Sequence, residues 1–235
     1  MSVTDQSRKS AITIIRIASR LLLVLGILSI LLFLPAGRWD WPQAWVLIFS
    51  FGVFLLLYVC WGIYKDPELF HERSRVAKNA KSWDRVIMAV YAALLPMIFI
   101  IAGIDVGRFG WSVVPAGVQV FAWIGLVLGA VLIFWTITTN TYLSRQARIQ
   151  DDRGQKVVAS GPYSHVRHPM YLGILIVFLS IPVALGSWYA LIPCLAIDSL
   201  FVVRTAKEDK MLREELPGYE DYTRCVHYRL IPGIW

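Results

Sequence analysis

The chain has 235 residues, of which 57% are hydrophobic and only 17% are charged, and its mean hydropathy is +0.58. This composition excludes an ordinary soluble domain and is typical of a membrane protein. The net charge of +7 comes without any nucleic-acid-binding motif, so anionic lipid headgroups are the expected counter-charge.

Four hydrophobic runs in the first part of the chain predict membrane-spanning helices. A helix needs about 20 apolar residues to cross the hydrocarbon core, where its backbone groups have no other hydrogen-bonding partner. In the fourth run, Gly125 and Gly129 have the GxxxG spacing, which predicts close packing on another helix of the chain, with dimerisation as the alternative. The runs lie near Ile17 to Ala36, Ala44 to Tyr64, Val86 to Ile104 and Gly117 to Thr138.

A fifth apolar region extends from Met170 to Val203 and is interrupted by Pro182 and by Gly186 with Ser187. The interruptions predict a helical hairpin with two short arms, which brings the number of membrane segments to six. Asp198 lies within the second arm, where a carboxylate is costly, and we predict that it has a structural or pocket-lining role.

The basic residues predict the orientation of these segments. Of the 23 Lys and Arg residues, all except Arg38 and Arg108 fall before the core of the first span, between the second and third, between the fourth and the hairpin, or after the hairpin. Positive charge concentrates in cytosolic loops. The sequence therefore predicts an all-α, multi-pass integral membrane protein with both termini in the cytosol.

The polar residues are concentrated in the loop from Thr139 to Pro169 and in the tail from Arg204 to Trp235. Arg167 and His168 stand directly before the hairpin, and a guanidinium there can bind a carboxylate or phosphate. In the tail, Arg204 and Glu208 share one helical face. From spacing alone, interfacial anchors and a solvated, salt-bridged helix explain these residues more simply than a functional site does.

The loop contains GPYSHVRHPMYLG, and the tail contains the acidic pair Glu208 and Asp209 followed by LPGYEDYTRCVHYRLIP. This combination resembles the isoprenylcysteine carboxyl methyltransferase and phospholipid methyltransferase superfamily of integral membrane enzymes. The resemblance covers residues 139–235, a methyltransferase core that would follow a four-span membrane region of residues 1–138. It implies that S-adenosylmethionine enters a pocket from the cytosol while a lipid-like or membrane-associated acceptor approaches from the bilayer.

The resemblance also implies which residues form the site. Arg204 and Arg229 are further candidates for binding an acceptor carboxylate or phosphate, Asn140 matches a loop Asn, and Asp209 departs from the usual second Glu. The implied catalytic residues are Arg167, His168, Arg204 and Glu208. The implied cofactor-binding residues are Gly161, Pro162, Tyr163, His165, Arg167, His168, Pro169, Tyr171 and Glu208, and no metal is implied.

Methyl transfer from a sulfonium depends mainly on aligning the nucleophile with the methyl group and excluding water. An ammonium acceptor first needs deprotonation, for which His168 or Glu208 is a candidate. We expect Arg167→Ala and Glu208→Ala each to abolish transfer and to leave the folded protein intact. Two alternatives remain, an NADPH-dependent membrane reductase of the sterol reductase type and a non-catalytic membrane partner protein, and the sequence leaves the oligomeric state open.

Overall fold

The structure, a computed structural model, describes the backbone of residues 3–74 and 81–235. Within these ranges the chain is helical and contains no β-strand. The helices are α1 (Val3–Ala36), α2 (Pro42–Tyr64), α3 (Pro67–Ser74), α4 (Ser82–Ala102), α5 (Ala116–Thr139), α6 (Pro169–Leu185), α7 (Leu191–Glu215) and α8 (Tyr219–Cys225).

Four of the described helices are long and apolar enough to cross a membrane, and they match the four predicted runs. They cover Ile17–Ala36, Pro42–Tyr64, Ser82–Phe109 and Ala116–Thr139. This confirms that the chain is an integral membrane protein with several apolar helices. The total of six spans, and the cytosolic position of both termini, stay predictions.

Helices α6 and α7 form the predicted hairpin. The apolar α6 has only 17 residues, which is shorter than the other four. It ends at Gly186, whose φ of +92° is a left-handed conformation that glycine adopts without strain. Helix α7 begins within the apolar arm and continues into the polar tail, so that Arg204 and Glu208 belong to the same helix as Asp198.

Helices α5 and α6 are in close contact, as the GxxxG spacing predicted. A Cβ atom on Gly129 would lie 2.8 Å from Val177 Cγ2 and 2.9 Å from the carbonyl oxygen of Gly173. A Cβ on Gly125 would lie 2.6 Å from Ser180 Oγ. Packing within the chain is therefore confirmed as a role of the two glycines, because no side chain fits between these backbones.

Helix α4 continues as a π-helical segment, Gly103–Phe109, at the end of the molecule away from the polar loop. There the buried carboxylate of Asp105 accepts hydrogen bonds from the backbone N–H of Ser112 (2.8 Å) and from the hydroxyls of Ser112 (2.6 Å) and Ser187 (2.5 Å). This cluster ties the segment after α4 to the turn between α6 and α7.

The tail folds back onto the loop at the other end of the bundle. The backbone N–H groups of Arg167 and His168 donate to the carbonyls of Tyr228 and Arg229, each at 2.9 Å. The hydroxyl of Tyr222, on α8, donates to the carbonyl of Tyr163 at 2.6 Å. Tyr222 therefore holds the tail against the loop.

Candidate functional site

A polar cavity of about 90 Å³ lies between the loop, the beginning of α6, the polar half of α7 and α8. Loop residues 140–158 form one side of this cavity, and α7 forms another. The side chains on its wall combine charge with aromatic rings. They include Asn140, Arg148, Tyr163, Arg167, His168, Tyr171, Arg204, Glu208 and Tyr219.

Asp209 is the centre of an ion-pair cluster next to the cavity, and its residue is 0% exposed. Arg167 binds it through Nε to Oδ1 (2.7 Å) and Nη2 to Oδ2 (3.2 Å), and Arg229 Nε donates to Oδ2 at 2.9 Å. The Tyr219 hydroxyl donates to Oδ1 at 3.2 Å, and His168 Nε2 lies 3.4 Å from Oδ1. The cluster therefore joins the loop, α7 and the tail.

Electrostatics keep this carboxylate ionised. Burial by itself raises the pKa of Asp209, but the His168 ring and the guanidinium groups of Arg167 and Arg229 outweigh it and lower the pKa well below its ordinary value. Burial raises the pKa of Tyr219 well above the usual range for a phenol. The second member of the acidic pair thus holds the site together, and its shorter side chain is the one that meets the two arginines.

Glu208, the first member of the pair, lines the polar cavity. Its Oε2 accepts a hydrogen bond of 2.5 Å from the Tyr171 hydroxyl. The His168 ring stacks on the Tyr171 ring, with centroids 5.8 Å apart and planes inclined by 6°. His168 Nε2 is buried and faces Asp209 Oδ1 at 3.4 Å, a contact that lacks normal hydrogen-bond geometry.

Arg204 is buried between α7 and the first turn of α4. Its Nε donates to Asp84 Oδ1 at 2.7 Å, and its Nη2 donates to the carbonyl of Arg145 at 2.8 Å. The guanidinium also lies over the Tyr171 ring, 5.2 Å from the centroid. Arg204 and Arg229 are thus both paired with carboxylates in this structure, and their predicted role in binding an acceptor anion stays a prediction.

The structure brings most of the predicted site residues together, and His168 and Glu208 line one cavity. Gly161, Pro162, His165 and Pro169 do not line it. His165 is exposed and its Nδ1 lies 2.9 Å from the Ser164 hydroxyl. The predicted residues on the cavity wall are Tyr163, Arg167, His168, Tyr171, Arg204 and Glu208.

The predicted residues away from the cavity shape the loop. Gly161 has a φ of +58°, and a Cβ there would lie 3.0 Å from Thr139 Oγ1. Both the left-handed backbone conformation and the close contact with Thr139 favour glycine at this position. Pro162 and Pro169 are buried. Asn140, at the end of α5, accepts the backbone N–H of Tyr142 and donates to the Tyr163 hydroxyl, each at 2.9 Å. Asn140 therefore combines a capping role with a position on the cavity wall.

Sequence analysis missed Asp84, which is 0% exposed and holds Arg204. Its place in the first turn of α4 gave no signal, because carboxylates are common at helix N-termini. Its partner lies 120 residues further along the chain, and no spacing rule connects the two.

A second cavity, of about 500 Å³, lies among the apolar helices α1, α2, α4, α5 and α6 and is lined by aliphatic and aromatic side chains. A run of aromatic rings leads from it to the polar cavity, with centroids at 6.0 Å for Phe178 and Tyr91, 5.6 Å for Tyr91 and Phe201, and 5.5 Å for Phe201 and Tyr171. Tyr91 and Phe178 line the apolar cavity, and Tyr171 lines the polar one. We call these four residues the aromatic wall.

The described residues thus form an apolar helical bundle with a polar, charge-lined cavity at one end, the architecture of an integral membrane protein with a candidate ligand site. Comparison with known proteins narrows this class. Residues 121–214, less than half of the chain, match the isoprenylcysteine carboxyl methyltransferase (ICMT) family. The matched residues include the loop motif and the pair Glu208 and Asp209 and support the resemblance there, whereas the tail motif lies beyond residue 214.

A second comparison gives a different relative. The chain is 33% identical over 85 residues to the Delta(14)-sterol reductase TM7SF2 of Mus musculus. The aligned residues make up 35% of this chain and 20% of that protein, so the chain spans about one fifth of the length of this relative.

Proposed function

We propose that this protein is an S-adenosylmethionine-dependent methyltransferase that acts on a lipid-like acceptor. The observation that carries the proposal is that the loop and tail motifs, far apart in sequence, line one polar cavity, and that only the packed rings of the aromatic wall separate this cavity from a larger apolar one. A polar cofactor and an apolar acceptor require these two environments side by side.

The chemistry of the polar cavity fits the cofactor. A sulfonium cation is stabilised by a nearby carboxylate, which Glu208 offers on the cavity wall. His168 lines the same cavity, and its ring is held between Asp209 and Tyr171. The cavity of about 90 Å³ is smaller than the several hundred Å³ that ligands of this size occupy, so the cavity would have to widen when the cofactor binds.

The bound cofactor would supply the electrophilic methyl group, and the protein would supply alignment. Tyr171 would orient Glu208 through their hydrogen bond, and the Asp209 cluster would fix His168 and Arg167 beside them. Holding the reacting atoms in line and away from water contributes several kcal/mol to a substitution of this kind. For a protonated amine acceptor, Glu208 or His168 would take the proton before methyl transfer.

The apolar cavity supports the acceptor class. Its volume of about 500 Å³ lies in the range of ligand cavities, and its wall of Leu, Ile, Val and Phe side chains suits a hydrocarbon chain. The aromatic wall ends at Tyr171, beside Glu208. A chain held in the apolar cavity would place its polar end toward the polar cavity.

A membrane reductase is the second candidate, and the identity to a sterol reductase favours it. A nicotinamide dinucleotide carries a diphosphate, which needs unpaired cations. The three arginines on the cavity wall are each paired with a carboxylate: Arg148 with Glu72 and Asp152, Arg167 with Asp209, and Arg204 with Asp84. Among the described cavity residues, exposed Lys156 has no such partner. The charge distribution favours the methyl donor.

Calorimetric titration of the purified protein in lipid nanodiscs separates the two candidates. We expect saturable binding of S-adenosylmethionine, no binding of NADPH, and transfer of label from the radioactive methyl donor to a component of a native lipid extract. Glu208→Ala should abolish transfer, because it removes the carboxylate that faces the cavity.

Glu214→Ala is the matched control, since Glu214 lies on the same helix but is exposed. It should retain wild-type binding and transfer. Binding of NADPH without binding of S-adenosylmethionine would overturn the proposal in favour of a reductase. Wild-type turnover in Glu208→Ala would show that the site is misplaced.

A further inference from the structure

We propose that Asp84 is a positioning residue of the polar cavity, which it serves by holding the loop over the cavity and Arg204 beneath it. This inference rests on the proposed function for its catalytic consequence. Asp84 lies outside residues 121–214, and it does not line the cavity itself.

Both carboxylate oxygens of Asp84 are used, and they bind different parts of the chain. Oδ1 accepts the Nε of Arg204 on α7 at 2.7 Å. Oδ2 accepts the backbone N–H of Ala147 in the loop at 2.9 Å. The side chain is completely buried, so water cannot take the place of either partner. One carboxylate therefore connects α4, α7 and the loop.

The contact with the loop is reinforced nearby. The backbone N–H of Lys81 donates to the carbonyl of Ala147 at 3.1 Å, so that Ala147 is held through both of its backbone groups. Lys81 Nζ also pairs with Glu215 at the end of α7, at 2.7 Å. The neighbours Leu143, Ser144 and Arg148 line the cavity together with Ala147. The first turn of α4 thus fastens the segment that covers the cavity.

The contact with Arg204 extends to Glu208. The Arg204 guanidinium lies over the Tyr171 ring, and the Tyr171 hydroxyl donates to Glu208. Asp84 fixes the guanidinium, the guanidinium packs on the ring, and the ring fixes the carboxylate. Removing the charge of Asp84 would leave Arg204 buried without its counter-ion, and such a cation moves toward water or toward the next carboxylate, which is Glu208. Either movement disturbs the side chain that faces the cavity.

The test compares Asp84→Asn with the wild type in nanodiscs by two measurements. The first is the rate of trypsin cleavage in the loop after Arg145 and Arg148, which we expect to rise because the loop is released. The second is methyl transfer from radioactive S-adenosylmethionine to a native lipid extract at saturating cofactor. We expect kcat to fall on the order of 100-fold, since displacement of a catalytic group by about 1 Å has this effect.

Asp105→Asn is the matched control. Asp105 follows on from the same helix, is equally buried and uses both carboxylate oxygens, but it lies at the opposite end of the bundle. It should lower stability while leaving loop cleavage and the kcat of the folded protein unchanged. Asp84→Glu, which keeps the charge, should restore part of the protection against trypsin and provides a second variant if Asp84→Asn does not fold.

The outcomes separate this inference from the proposed function. Wild-type loop protection and wild-type kcat in Asp84→Asn would overturn it, and so would equal effects of the Asp84 and Asp105 variants. If the wild type neither binds S-adenosylmethionine nor transfers its methyl group, the proposed function fails, whereas the trypsin measurement still decides whether Asp84 fastens the loop.

Discussion

At the scale of single residues, the site is organised by two buried carboxylates, Asp84 and Asp209, each paired with an arginine. Removing one member of a buried ion pair is costly because the remaining charge loses a partner, but at Asp209 this loss is partial, since Arg229 and Tyr219 still donate to the carboxylate. This affects the expectation, drawn from the sequence, that Arg167→Ala leaves the folded protein intact. Its guanidinium also donates to the carbonyls of Val226 and His227, so it fastens the tail as well.

We therefore predict that Arg167→Ala lowers the free energy of unfolding in mixed micelles by about 2–3 kcal/mol, through the hydrogen bonds lost to Asp209 and to two backbone carbonyls. Glu208→Ala, which removes one hydrogen bond at the cavity wall, should lower it by about 1 kcal/mol. Chemical denaturation followed by circular dichroism measures both values. Equal stability of the two variants would contradict a structural role for Arg167.

The stability lost in Arg167→Ala should depend on pH, because it depends on the ionisation of Asp209. Its folded pKa is lowered, so its charge stabilises the protein above the unfolded pKa of about 4, and this contribution is lost as the pH falls through the lower folded value. Loss of Arg167 moves the folded pKa upward. The loss of unfolding free energy caused by Arg167→Ala should be greatest above about pH 5 and should become smaller as the pH is lowered.

At the scale of helices, hydropathy was sufficient for α1, α2, α4 and α5, because a membrane-crossing segment must satisfy its backbone internally and so needs a long apolar run. The hairpin was also predictable, since Pro182 and Gly186 interrupt the last apolar region. The π-helical end of α4 was not predictable. It depends on Asp105 and on hydroxyl groups from two other segments.

The contact between α5 and α6 gives a prediction at this scale. Gly129→Val should destabilise the protein by about 1–3 kcal/mol, because the new side chain meets the Gly173 carbonyl, which cannot move away without shifting α6. Gly117→Val is the control on the same helix, where nothing lies within 4 Å of a Cβ. Thermal unfolding in detergent compares the two, and equal melting temperatures would argue against this interface.

At the scale of the whole molecule, the loop and tail motifs predicted a shared pocket, and Tyr163, Arg167, His168, Tyr171 and Glu208 do line one cavity. Sequence did not distinguish the residues that face the cavity from those that shape the loop, such as Gly161 and Pro162. It also missed that Asp84, on α4, binds both Arg204 and the loop. Contacts of this kind depend on how distant helices are placed together, and a single sequence contains no spacing that reveals them.

The central claim is that the polar cavity between the loop and α7 binds S-adenosylmethionine. Ultraviolet crosslinking of the radioactive cofactor to the protein in nanodiscs, followed by peptide mapping, tests it directly. We predict label within residues 139–171 or 204–222, competed by unlabelled cofactor and not by NADPH. Label confined to α1 or α2, or label displaced equally by NADPH, would contradict the account.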